Sequence, residues 1–145
     1  MKKLRYLKTV KGGTKSLDGK TILQGMIPFS KITVTVLTSN AGYNMTAAHV
    51  LSGLISDTSG TGAIAATLPS VASVVALIGG CVVGTSFYLD YSNPGNQTVT
   101  ITVDAGATWT LVGTMSIATT THKRLLFVIN SAITGTVYSV GAATA

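Results

Sequence analysis

The sequence predicts an all-β fold: a jelly-roll-like β-sandwich of about eight short strands with one or two short helices, behind an extended basic N-terminal arm. Three observations predict it. Thr (23), Val (15) and Ile (10) make up a third of the 145 residues, and β-branched side chains suit a pleated, half-buried surface. Charge is scarce, with ten Lys and Arg, four Asp and no Glu. Helix bundles and coiled coils need many more charges on their exposed faces. Turn signals recur about every ten residues, the spacing of a sandwich or jelly roll. An apolar content of 46% argues against intrinsic disorder.

The charge divides the chain into an arm, 1–31, and a body, 32–145. Lys2, Lys3, Arg5, Lys8, Lys11, Lys15, Lys20 and Lys31 stand against Asp18 alone, so the arm carries +7. Lys123 and Arg124 stand against Asp57, Asp90 and Asp104, so the body carries −1. Gly12, Gly13, Gly19 and Gly25 interrupt the arm, which reads as extended and not as a packed element. A body rich in Thr, Ser, Ala and Gly but nearly free of charge lacks the usual means of staying soluble alone. Much of its surface is therefore expected to face other protein chains.

Within the body, Ile32-Thr-Val-Thr-Val-Leu37 alternates and predicts a strand. Ser39-Asn40-Ala41-Gly42 breaks it, and Thr46 caps a short helix over 47–52 that Gly53 ends. Strands follow over 54–58 and 64–68, separated by Ser59-Gly60-Thr61-Gly62. Pro69 stops the second, Ser70 caps a helix over 71–78, and Gly79-Gly80 ends it. The second half carries only strand signals, over 85–91, 97–103, 109–112, 114–118, 121–129 and 135–140. Asn93-Pro94-Gly95-Asn96 and Asp104-Ala105-Gly106-Ala107 supply turns between them.

Targeting and chemistry signals are sparse. Lys8, Lys11 and Lys15 interrupt every apolar run near the start, which argues against a signal peptide. The apolar stretch from Ser70 to Val83 is broken by Gly79 and Gly80, far short of the roughly 20 residues a membrane helix needs. No membrane span is expected. The lone Cys81 excludes an internal disulfide and a zinc cluster, and reads as a small buried hydrophobe. His49 and His122 have no Cys or Glu nearby to form a metal motif. No Gly-x-Ser-x-Gly or phosphate-loop spacing occurs. The expectation is no enzyme: no catalytic, cofactor-binding or metal-ligating residue and no cofactor.

Binding features are two. The eight basic residues of the arm would attract an acidic protein face or phosphates through ion pairing and counterion release. Only Tyr6 and Phe29 interleave them, so single-strand stacking has little support. The Thr-rich strand faces can pair between subunits. Among the large aromatics, Tyr88 points opposite Phe87 and Leu89 and is the first interface candidate. Tyr91, beside the 93–96 turn, and Trp109 are the others.

Several stretches together resemble a known module. They are Thr46-Ala-Ala-His-Val-Leu-Ser-Gly-Leu-Ile55, Ala65-Ala-Thr-Leu-Pro69, Val83-Gly-Thr-Ser-Phe-Tyr-Leu89, Thr98-Val-Thr-Ile101, Thr108-Trp-Thr-Leu-Val-Gly-Thr114 and Arg124-Leu-Leu-Phe-Val128. The order resembles the β-sandwich module of minor capsid, decoration and fibre-head proteins of tailed phages and other double-stranded DNA viruses. Related stretches there read T-A-A-x-L-L-x-G-L-I, L-P-T-A, V-G-x-S-F-x-F and V-T-L-x-A-G-x-G-x-T-L-x-G. This chain departs from that pattern at Ser52, at Trp109 and in the Gly79-Gly80-Cys81 insertion. The arm lies outside the resemblance.

The resemblance implies a structural virion protein without catalysis, often a homotrimer, and carries over no binding residue. Its partners would be copies of itself and the major capsid protein or other virion proteins. The leading expectation is a minor capsid or decoration (cement) subunit anchored by the arm. A receptor- or glycan-binding fibre head, using Tyr91 to Asn96, is the alternative. A nucleic-acid-binding internal protein, using the arm, is the third.

Overall fold

The computed structural model describes residues 9–10, 13–15, 21–22 and 32–144. Contacts divide the chain into two units, Met1–Lys31 and Ile32–Ala145. In the first, β1 (Thr9–Val10), β2 (Gly13–Lys15) and β3 (Thr21–Ile22) form a three-stranded antiparallel sheet. The arm was expected to be extended without packed elements, so these short strands are a difference. Two- and three-residue runs are too short for periodicity to reveal.

The body follows the expected order closely. Its elements are β4 (Thr33–Leu37), β5 (Tyr43–Asn44), α1 (Ala47–Val50), β6 (Gly53–Asp57), β7 (Ile64–Leu68), α2 (Val71–Leu77), β8 (Ser86–Asn93), β9 (Val99–Val103), β10 (Trp109–Val112), β11 (Ser116–Ile117), β12 (Thr121–Ile129) and β13 (Gly135–Thr144). Both helices start where a hydroxyl caps them. Thr46 Oγ1 accepts from the His49 amide at 3.2 Å, and His49 Nδ1 accepts from the Thr46 amide at 3.3 Å. Ser70 Oγ accepts from the Ser73 amide at 3.2 Å. The first helix is two residues shorter than expected, because Leu51 leaves helical geometry before Gly53 is reached.

The strands form two sheets. One has six strands in the order β10-β13-β12-β8-β6-β4, the other four in the order β11-β9-β7-β5. From β4 to β12, successive strands alternate between the two sheets. In the first part of the body, neighbours within a sheet are therefore next-but-one in sequence, and β4, β6 and β8 run parallel, as do β5, β7 and β9. The hairpin β12-β13 then closes the larger sheet antiparallel against β8, and β10 adds parallel to β13.

This pairing corrects the jelly-roll part of the expectation. A jelly roll is built from antiparallel strands in Greek keys, whereas five of the eight pairings in the body are parallel. The strand that crosses to the other sheet serves as the crossover a parallel pair needs. What stands is a mostly β body with two sheets that share one core.

Ile55, Leu89, Leu125, Phe127, Ile129 and Val137 come to that core from the larger sheet. Ile64, Ala66, Leu68, Val99, Ile101 and Ile117 come from the smaller one. Val50, Val71 and Val74 of the helices join them. Phe127 stacks on Phe87 with centroids 5.1 Å apart and meets Trp109 edge-on at 5.3 Å. Trp109 Nε1 donates to the Pro69 carbonyl at 2.7 Å, which satisfies its one polar atom.

The ring of Trp109 lies over Gly135. A Cβ there would stand 2.6 Å from Trp109 Cε3 and 3.0 Å from the Val128 carbonyl oxygen. Neither neighbour is a free-ended side chain, since Trp109 is pinned to Pro69 and the other is backbone. Gly135→Ala is expected to cost about 1–3 kcal/mol through overpacking. Urea unfolding followed by Trp109 fluorescence checks it, and an unchanged midpoint would refute the clamp.

Candidate functional site

The body contains two features with chemical character, one inside and one outside. The inner one centres on Asp57, the last residue of β6, which is fully buried. Its Oδ1 accepts from the Ser59 amide at 2.9 Å and from the Ser59 hydroxyl. Its Oδ2 accepts from Tyr43 Oη at 2.6 Å and Tyr91 Oη at 2.5 Å, and the two phenols also touch each other. Burial pushes the carboxyl pKa up, but hydrogen bonds from Ser59, Tyr43 and Tyr91 outweigh it and hold the value below the usual carboxylate range. Burial first, then the bonds to Asp57, push both phenols well above their usual range.

This cluster resembles an acid–base site in composition only. Four donors saturate the carboxylate, and no solvent reaches it. Its geometry instead ties β5 of the smaller sheet to β6 and β8 of the larger.

Lys123 is a second buried polar group, facing inward beside Tyr91 in the β8–β12 register. Its Nζ donates to the carbonyls of Thr114 at 2.6 Å and Ser116 at 2.5 Å. Burial lowers its pKa. Asn93 Nδ2 reaches the carbonyls of Gln97, Ile117 and Ala118. Both residues join the larger sheet to the β11 edge of the smaller one.

The outer feature is the solvent face of the six-stranded sheet. Cross-strand register sets Tyr88, Leu126, Tyr138 and Val112 in one row across β8, β12, β13 and β10. Tyr88 is 54% exposed, Tyr138 40% and Val112 42%. The next row runs Val34, Leu54, Asp90 and Arg124. Arg124 makes a bidentate pair with Asp90 at 2.7 and 2.8 Å, and its guanidinium lies 5.6 Å from the Tyr88 ring centre. The Arg124 hydrogen bond holds the Asp90 carboxyl below its usual range.

At the edge, β4 reverses the usual pattern. Its apolar set, Val34 and Val36, faces solvent together with Ile32, while Thr33, Thr35 and Leu37 take the other side. Side chains alternate across a strand, so the register could have buried that set but did not.

The structure sorts the candidates from the sequence as follows. Tyr88 is exposed on the outer face. Tyr91 and Trp109 are corrected: both are buried, Tyr91 by its bonds to Asp57 and Tyr43, Trp109 by packing on Phe127 and Gly135. Lys15 lies on β2. Lys2, Lys3, Arg5, Lys8, Lys11, Lys20 and Lys31 lie outside the described residues. Cys81 is half-buried and lines an apolar pocket of ≈ 320 Å³ with Val75, Val82, Val83 and Ile129.

Among the described residues no three His, Cys, Asp or Glu side chains cluster for a metal, and no helix is long and apolar enough to cross a membrane. Sequence reasoning missed the Asp57 cluster, whose members lie far apart in the chain. It also missed the outer row, although the unbroken apolar run Leu125–Ile129 carried a signal. Five consecutive apolar residues mark a strand that is apolar on both faces. No family model, curated protein or solved structure matches this chain.

The Asp57 cluster makes stability pH-dependent. A carboxyl whose pKa is depressed on folding contributes stability above its unfolded value of about 4, and that contribution is lost as pH falls. Phenols raised on folding contribute stability below about 10, lost as pH rises further. Tyr91→Phe removes one donor to the carboxylate without leaving a cavity. It should cost about 1–3 kcal/mol at pH 7, and the gap from wild type should narrow at pH 3. Denaturant titrations at the two pH values check this; a gap independent of pH would separate Tyr91 from the ionisation of Asp57.

Proposed function

We propose that the chain is a structural virion protein, a minor capsid or decoration (cement) subunit. Its β body packs against neighbouring subunits, itself among them as a homotrimer, and its basic arm anchors it to the major capsid protein or another virion component. The observation that carries this reading is the exposed apolar face of the larger sheet on a body with almost no charge. The buried polar groups support it too, since Asp57, Lys123 and Asn93 are engaged in holding the sheets and are not turned toward a substrate. Many weak contacts of this kind gain strength when repeated around a shell.

The fibre-head alternative keeps one supporting feature, the exposed Tyr88 beside Asp90 and Arg124. It loses Tyr91 and Asn93, which are buried, and keeps of that turn the exposed Pro94 and Asn96. The nucleic-acid reading rests on the arm's charge alone.

The test uses particles of the virus that encodes the chain. Full-length protein in which Lys2, Lys3, Arg5 and Lys8 are changed to Gln should be incorporated several-fold less than wild type, with lowered shell stability to heat. Undiminished incorporation would refute the anchoring role of the arm. Absence of the wild-type chain from purified particles would refute the virion assignment. Loss of host attachment with an intact shell would favour the fibre head. DNA binding that weakens steeply with salt and is lost with the four lysine and arginine changes would favour the internal protein.

A further inference from the structure

We infer that the outer face of the six-stranded sheet is the surface through which this chain contacts another copy of itself. The inference rests on the structural-subunit reading and deepens it by naming the face.

Three independent features of the face point there. The first is pattern. In β4 and the residue before it the apolar set is turned to solvent, with Ile32 65%, Val34 54% and Val36 64% exposed. In β12 the unbroken run Leu125–Ile129 puts Leu126 and Val128 on the outer side, opposite a core already formed by Leu125, Phe127 and Ile129. Two strands at different places in the sheet thus carry an apolar face that the core of their own chain does not use.

The second is size. Six strands about 4.8 Å apart, each showing about 17 Å of length, present roughly 500 Å² in projection. A corrugated side-chain surface of that extent offers an accessible area of the order that one side of a standard interface buries, ~800 Å².

The third is charge. Among the described residues, Asp90 and Arg124 are the Asp, Glu, Lys and Arg side chains of this face and they neutralise each other; the exposed His122, opposite Ser92, is the titratable group beside them. An acidic or basic partner would find no complementary charge on it. A second copy brings the same balanced, uncharged surface and leaves nothing unpaired. Tyr88 and Tyr138 flank Leu126 at the centre, where large aromatics dominate binding energy once water is excluded.

The experiment measures the mass of the full-length protein by size-exclusion chromatography with light scattering across a concentration series. Wild type should run as a multiple of 14.8 kDa. The double variant Tyr88→Lys/Tyr138→Lys places two ammonium groups in the central row. It should raise the dissociation constant at least ~30-fold and run as monomer at concentrations where wild type is assembled. Val83→Lys, 73% exposed but away from this face in the segment before β8, should leave the mass unchanged.

Far-UV circular dichroism and urea midpoints check folding of each variant. Should the double variant fail to fold, Val36→Lys at the exposed edge carries the same test. A monomeric wild type, or an oligomer that survives the outer-face charges, overturns the inference. Incorporation into particles is read separately. A monomer that still enters particles leaves the virion role standing and removes only the self-contact.

Discussion

The body depends on a buried carboxylate. Its chain passes back and forth between two sheets, so each sheet is assembled from strands that are not neighbours in sequence. Such an arrangement needs ties that cross the core, because hydrogen bonds within a sheet do nothing to hold the second sheet in register with the first. Asp57 supplies that tie by accepting from Tyr43 on the two-residue edge strand β5 and from Tyr91 on the central strand β8. An isolated buried carboxylate would be unstable by several kcal/mol. This one is tolerated because Ser59 and both phenols fill its hydrogen-bonding positions. The two phenols also place their rings among apolar side chains, so one cluster serves packing and polar satisfaction together.

The opposite edge is held by different means. Lys123 and Asn93 reach backbone carbonyls around β11, a strand of only two residues that makes few ladder bonds of its own. Trp109 fixes the β10 edge by bonding to Pro69 across the core and packing its ring against Gly135. Short edge strands are thus secured by side chains from long central ones.

How much of this was legible in the sequence follows from which forces act locally. Alternation placed β8 and β9 close to their observed limits, because one face of each meets a core and the period of two is written in the chain, while Pro69 ended β7 and the apolar run Leu125–Ile129 marked β12. Thr46 and Ser70 marked both helix starts, since a cap is a contact over three residues. The partners of each strand were not legible. The alternation in Val99–Val103 is the same whether its neighbour runs parallel or antiparallel, and so a jelly roll was expected where a parallel winding is found. Nor does the sequence remove Tyr91 and Trp109 from the interface candidates, because what buries them is Asp57, Tyr43, Pro69 and Gly135, at separations from 26 to 48 residues. The reversal in β4 was hidden because alternation tells which residues share a side, not which side is inside.

The separation of charge from apolar surface has a consequence for assembly. Electrostatic attraction acts over about 8–10 Å at physiological salt and is weakly directional, so a lysine-rich segment can gather a partner without orienting it. Orientation requires short-range fit. The outer face has the properties for that: a fixed sheet, rigid aromatics, and one ion pair whose geometry is already set by Asp90 and Arg124 before any partner arrives. A side chain held in place by its own sheet loses little freedom on contact, which lowers the entropic cost of association. In the proposed assembly the arm therefore governs how often subunits meet their neighbours, and the sheet governs which encounters persist.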